Sequence, residues 1–154
     1  MSTIHFVMQG KGGVGKTIIS SMLAQYLISR KKSVVSVNVD PINRSLTKYQ
    51  ALDVKNIPVI QDNKVIQNEF DRLVQHFFDN NESDFVIDTG ASTFAPLNAY
   101  LIDHKVISFL KESGKQVFIH VPIVGGTSQT DTLTGFDGIA QFYSDSNIIL
   151  WENE

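Results

Sequence analysis

The chain contains no cysteine among its 154 residues. That absence excludes disulfides, zinc–thiolate centres and iron–sulfur clusters together. A basic excess is missing as well: 13 Lys and Arg stand against 16 Asp and Glu, a formal net charge of -3. Bulk attraction to nucleic acid is therefore not what organises the surface. The one basic cluster, Arg30-Lys31-Lys32, reads as the solvated end of a helix. Long apolar runs are missing too. The N-terminal "TIHFVM" is too short and too polar-flanked for a signal peptide, and no stretch approaches the length of a membrane span, so the expected compartment is the cytoplasm. What is present, 42% hydrophobic and 19% charged residues, is the composition of an ordinary globular chain long enough for one compact domain with a sizeable core.

Strand-length apolar runs alternate with helical periodicity. "IHFVM" (4–8) has the continuous apolar form of a strand buried on both faces. Ile18, Ile19, Met22, Leu23, Tyr26 and Leu27 mark a helix from Thr17 to about Arg30. "SVVSVNV" (33–39) is the next strand, and "IPVI" (57–60) a possible short one. Ile66, Phe70, Leu73, Val74, Phe77 and Phe78 mark a second helix, followed by the strand "DFVID" (84–88). A helix over 96–113, a strand over 115–123, a helix near Thr130 to Tyr143 and a terminal strand over 147–152 complete the chain. Such alternation predicts an α/β fold with a doubly wound, mostly parallel sheet between helical layers. In that fold ligands bind beyond the carboxyl ends of the strands. Three polar loops fall there: "QGKGGVGKTI" (9–18), Asp40-Pro41, and Asp88-Thr89-Gly90.

The first of these has the phosphate-loop spacing, with Gly10, Gly15, Lys16 and Thr17 between a predicted strand and a predicted helix. Glycines let successive backbone N–H groups converge on an anion, and the helix starting near Lys16 adds its positive end. On this reading the loop from Gly10 through Gly12, Gly13, Val14 and Gly15 to Ile18 cradles phosphate. Lys16 bridges the outer phosphates, and the Thr17 hydroxyl binds magnesium.

Lys11 is a second lysine that a phosphate loop does not need. "KGGVGKT" (11–17) resembles the deviant Walker A loop of the ParA/MinD family of P-loop ATPases, whose signature lysine occupies this place. The resemblance implies an ATP-dependent homodimer in which Lys11 reaches the partner's phosphates, where two polyanions brought together need added positive charge. "VVSVNVDP" (34–41) is similar to the family's second-strand motif and implies that Asp40 positions or activates the attacking water. Asn38 departs from it, since many relatives carry an acidic residue there. An Asp before Pro is also a common turn starter. "DFVIDTGAS" (84–92) resembles the Walker B and switch segment, which implies that Asp88 holds a magnesium-bound water and that Gly90 senses the terminal phosphate.

Without cysteine, the chain cannot be like the nitrogenase iron protein, the iron–sulfur carriers or the arsenite-pump ATPases. "FVMQGKGGVGK" and "IDTGAS" resemble compact proteins of conjugative transfer operons, of the TraL type. The chain stops in the strand "NIILWENE", which suggests a truncated product, although a domain can also end on its last strand. Asn153 falls where relatives often place an adenine-reading Asn. DNA or membrane binding is not readable from this chain. His5, His76, His104 and His120 lie on different elements without metal-ligand spacing. Gly125-Gly126 with Ser128 and Asp131 could be a second ligand loop, but a helix N-cap explains it better. Phe77-Phe78 and Trp151 read as core.

The expected function is a magnesium-dependent ATPase acting as a dimerisation switch, slow without an activating or cargo protein. A non-catalytic nucleotide-binding adaptor and a small-molecule kinase or ligase on the same scaffold remain as alternatives.

Overall fold

The computed structural model describes residues 2–153 apart from 43 and 63. Strand β1 (Thr3–Val7) leads through the glycine loop into helix α1 (Lys16–Ser29), which returns to β2 (Val34–Asn38). Two short 3₁₀ turns (Ser45–Lys48 and Gln50–Leu52) precede β3 (Lys55–Asn56) and a small hairpin of β4 (Ile60–Gln61) and β5 (Lys64–Val65). Then come α2 (Gln67–Asp79), β6 (Asp84–Asp88), α3 (Ala91–Asp103), α4 (Val106–Glu112), β7 (Gln116–Val124), α5 (Gln129–Phe142) and β8 (Asn147–Asn153). The main sheet runs β3-β2-β6-β1-β7-β8 with every neighbour parallel, as the alternating pattern predicts.

Register divides the apolar residues between two layers. Ile4, Phe6, Phe85, Ile87, Val117 and Ile119 pack with Phe70, Leu73 and Phe77 of α2, Leu97 and Leu101 of α3, Leu110 of α4 and Ile139 of α5. On the opposite face Val86 packs under Leu23 and Ala24 of α1, beside Leu46 and Leu52 of the 3₁₀ turns. The connection leaving β1 therefore runs over one face toward β2, and the connection leaving β6 over the other toward β7. Since β1 and β6 are neighbours, their loops part and open a crevice at the carboxyl edge, the usual ligand position in open α/β sheets.

Two elements differ from the sequence reading. The single helix expected over 96–113 is two helices, and the first begins at Ala91. Pro96 is not its first residue but lies inside it. Lys105, left-handed at φ 50°, closes α3 and opens α4. The break has a packing cause. At 100° per residue, a continuous helix carrying Leu97 and Leu101 inward would turn Val106 and Leu110 away from the core, whereas all four are buried. The strand suggested at 57–60 is likewise reduced to its last residue, Ile60, which opens β4. Pro58 has no N–H for a ladder, so pairing with β2 stops at Asn56, and the chain resumes pairing only in the β4–β5 hairpin. Ile57 and Val59 are nevertheless buried as core.

Candidate functional site

The loop after β1 wraps back over the start of α1. Gly13 and Gly15 take left-handed φ of 73° and 95°, which side chains disfavour and which allow the loop to close. Gly10 lies close under Phe94, where a Cβ would press the ring at 3.1 Å. Val14 is buried and pins the loop down. Gly12, Gly13, Val14, Gly15, Lys16, Thr17 and Ile18 line one wall of a cleft of about 660 Å³. Asp40, Asp88, Thr89, Gly90, Ala91 and Ser92 line the facing side. The three polar loops singled out in the sequence thus meet in one space.

The two loop lysines differ in environment. Lys16 is buried, its Nζ donating to the Lys11 carbonyl at 2.7 Å. Burial pushes its pKa down, against the pull of Asp88 and Asp40. The Lys11 side chain instead points to the rim, where Nζ meets Asp131 Oδ2 at 2.7 Å with both side chains substantially exposed. Asp131 of the supposed N-cap segment is therefore an ion-pair partner of Lys11, and Ser128 makes no side-chain cap.

Asp88, at the end of β6, accepts from Thr17 Oγ1 at 2.8 Å and from Ser20 Oγ at 2.9 Å. Burial raises its pKa, opposed by those two hydroxyls and by Lys16. Asp40 follows β2. Its Oδ1 accepts the Ile42 N–H at 2.9 Å, and its Oδ2 stands 1.9 Å from where a Cβ on Gly90 would be. Gly90 is thus glycine for space, since its φ is an ordinary -83°. Asn38 Nδ2 donates to the Asp40 carbonyl at 3.1 Å and to Asn56 Oδ1 at 3.1 Å. An acidic residue at 38 could not donate either bond while ionised. Asn153 lies beside the glycine loop: its Nδ2 is 3.6 Å from where a Cβ on Gly15 would be, and its carbonyl accepts the Gly125 N–H.

The residues suit a nucleoside triphosphate with magnesium. Left-handed glycines and a helix start supply N–H donors, Lys16 supplies a buried cation, and Thr17 with Asp88 supplies the hard oxygens magnesium prefers. Among the described residues no cluster of three or more His, Asp or Glu could hold a metal alone. Magnesium here would therefore rely on phosphate and water ligands, which is its usual habit.

Sequence reasoning missed several neighbours. Ile42, Ser45, Lys48 and Tyr49 extend the cleft beyond Asp40, with no motif to announce them. Gln9 is fully buried behind the loop; a polar residue closing an apolar strand was the available signal. His5 and His120, on different elements as read, are hydrogen-bonded at 2.9 Å across β1 and β7.

Comparisons with known proteins agree with this fold. The CobQ/CobB/MinD/ParA nucleotide binding domain matches residues 5–118. Protein TraL of Escherichia coli is 37% identical over 154 residues, and the chain spans 64% of that relative's length. The MinD cell division protein of Aquifex aeolicus shares the fold at TM-score 0.60 and 14% identity, over 99% of this chain and 70% of that one. The cell division protein FtsY of Thermotoga maritima shares it at TM-score 0.63 and 19% identity, over 97% and 52%. No helix among the described residues is long and apolar enough to cross a membrane. With three-quarters of its length under the domain match, the chain belongs to the CobQ/CobB/MinD/ParA family of nucleotide-binding domains.

Proposed function

We propose that this domain binds ATP with magnesium, dimerises in that state and hydrolyses the nucleotide slowly until a partner protein stimulates it. The observation that carries the reading is the division between the two loop lysines. Lys16 is buried in the cleft on the Lys11 carbonyl, whereas the Lys11 side chain lies half-exposed at the rim on Asp131. A cation at the rim is poorly placed for its own cleft and well placed for phosphates brought up on a second copy. Bound magnesium would supply positive charge to the phosphates, and Thr17 and Asp88 would hold it, Asp88 through water. Asp40, fixed by Asn38 and the Ile42 N–H, would orient the attacking water. Asn153 beside Gly15 would read the base. The resemblance to transfer-operon proteins, and the TraL relative, favour plasmid transfer as the setting.

Light scattering behind size exclusion, without nucleotide, with ADP and magnesium, and with a non-hydrolysable ATP analogue and magnesium, tests this. The protein should dimerise only with the analogue. Lys11→Ala should bind nucleotide and stay monomeric, and Lys16→Ala should lose about 1.5–3 kcal/mol of binding, the range for a hydrogen bond to a charged group. A wild-type monomer in all three conditions would overturn the switch. The extension of the cleft to Ser45, Lys48 and Tyr49 supports a second reading, phosphoryl transfer to a small molecule. Product formation that needs an added acceptor, and not dimerisation, would select it.

A further inference from the structure

The Gln9 carboxamide is fully buried and makes three hydrogen bonds. Its Oε1 accepts the Gly10 N–H at 2.9 Å, and its Nε2 donates to the Pro122 carbonyl at 3.1 Å and the Thr132 carbonyl at 3.0 Å. The orientation is fixed by chemistry, because an N–H can meet only an acceptor and two carbonyls can meet only donors. One side chain thus ties the first residue of the phosphate loop to β7 and to α5. Gly135, on the next turn of α5, makes room for it: a Cβ there would stand 2.1 Å from Gln9 Oε1. Gly138, three residues further, would meet nothing within 4 Å. Helix α5 also touches the loop from outside, through Asp131 and Lys11. The first two loop residues, Gly10 and Lys11, are therefore both held by α5, one through a buried amide and one through an exposed ion pair.

We infer that Gln9 is a positioning residue through which α5 sets the phosphate loop. The inference rests on the nucleotide-binding reading of that loop and adds the element that controls it. A shift of α5 must either carry Gly10 with it or break bonds of a buried carboxamide, and buried polar groups left unpaired are costly. The position of α5 and the affinity of the loop are thereby coupled, and the buried part of that coupling runs through the Gln9 side chain.

The test is equilibrium titration of each protein with a fluorescent ATP analogue (mant-ATP) and magnesium. Gln9→Ala should weaken binding roughly tenfold, the scale of one lost hydrogen bond. Gly135→Ala, outside the cleft, should do about the same, because its methyl must displace the carboxamide. Gly138→Ala should bind like the wild type. The double variant Gln9→Ala/Gly135→Ala should bind no more weakly than Gln9→Ala alone, since the methyl then has nothing to strike. In the ¹H–¹⁵N spectrum without nucleotide, the Gly10 amide should move in both single variants and stay in Gly138→Ala. Additive losses, or an unmoved Gly10 amide, would overturn the inference while wild-type binding stands. Failure of the wild type to bind mant-ATP would remove the nucleotide reading itself, and this inference with it.

Discussion

Gly90 and Asp40 compete for one small volume, and that competition makes a glycine part of the chemistry. The motifs make both residues legible in the sequence, yet nothing in the sequence says that they touch, because they close different strands. The same holds for Gln9, two of whose partners lie 113 and 123 positions away, and for Asn38, which reads as a departure from an acidic pattern until its two donated bonds are seen. Motif spacing reports residues that meet a common ligand, not residues that meet each other. A Cβ on Gly90 would have to drive the Asp40 carboxylate off the Ile42 N–H. Gly90→Ala should therefore lower ATP hydrolysis about 100-fold, the low end of a general-base contribution. Nucleotide affinity should change only a few-fold, because the Lys16 side of the cleft is untouched. Comparison of single-turnover hydrolysis with equilibrium binding would separate the two, and wild-type turnover in the variant would dismiss Asp40 as the residue acting on water.

The strands of the parallel sheet were the most legible elements. "DFVID" is β6 to the residue, and burial on both faces explains why the apolar runs are unbroken. The helices were legible where one face alone is apolar, as in α2. They were not where two short helices meet, because Leu97, Leu101, Val106 and Leu110 are all core residues but only the turn at Lys105 lets them share a face. Pro96 added to the error: a proline is expected at the first position of a helix, and here it lies in the second turn. The turn has a measurable cost. Lys105 adopts φ 50°, a conformation that costs an L-residue roughly 1 kcal/mol and glycine almost nothing. Lys105→Gly should accordingly stabilise the fold by about 0.5 kcal/mol or less, after the added chain entropy of glycine is offset. Thermal unfolding would show it as a higher midpoint. A lower midpoint would mean that the Lys105 side chain itself holds the α3–α4 corner.

Across the whole molecule, strand order brings together what chain order separates, and His5 and His120 are the clearest case. A parallel sheet makes β1 and β7 neighbours although 115 positions part the two rings. The Trp151 indole can only donate, so its bond of 2.9 Å to His120 Nδ1 places the His120 proton on Nε2. That proton points to His5 Nδ1 at 2.9 Å, and His5 Nε2–H then points to Thr3 Oγ1, also at 2.9 Å. Every acceptor site in the row is filled, so an added proton has no place. Burial holds His120 at about 4, with His5 adding to the shift, and holds His5 at about 4 against the pull of Asp84 and with a small push from Lys32. Both values lie below the ordinary 6.5, so the unfolded chain binds more protons than the folded one between about pH 6.5 and pH 4, and stability falls as pH falls through that window. Linkage gives about 2 kcal/mol per ring between pH 7 and pH 5, with the two titrating as a pair. Denaturant unfolding at the two pH values should show this loss, and His5→Gln should remove about half of it. An equal loss in the variant would assign the acid sensitivity to other groups. The consequence reaches the glycine loop through β8. Trp151 and Asn153 lie on one face of that strand, and Asn153 stands against Gly15. Acid that dislodges Trp151 should therefore weaken nucleotide binding before the core unfolds, and mant-ATP affinity falling at a higher pH than the loss of helical signal would register that order.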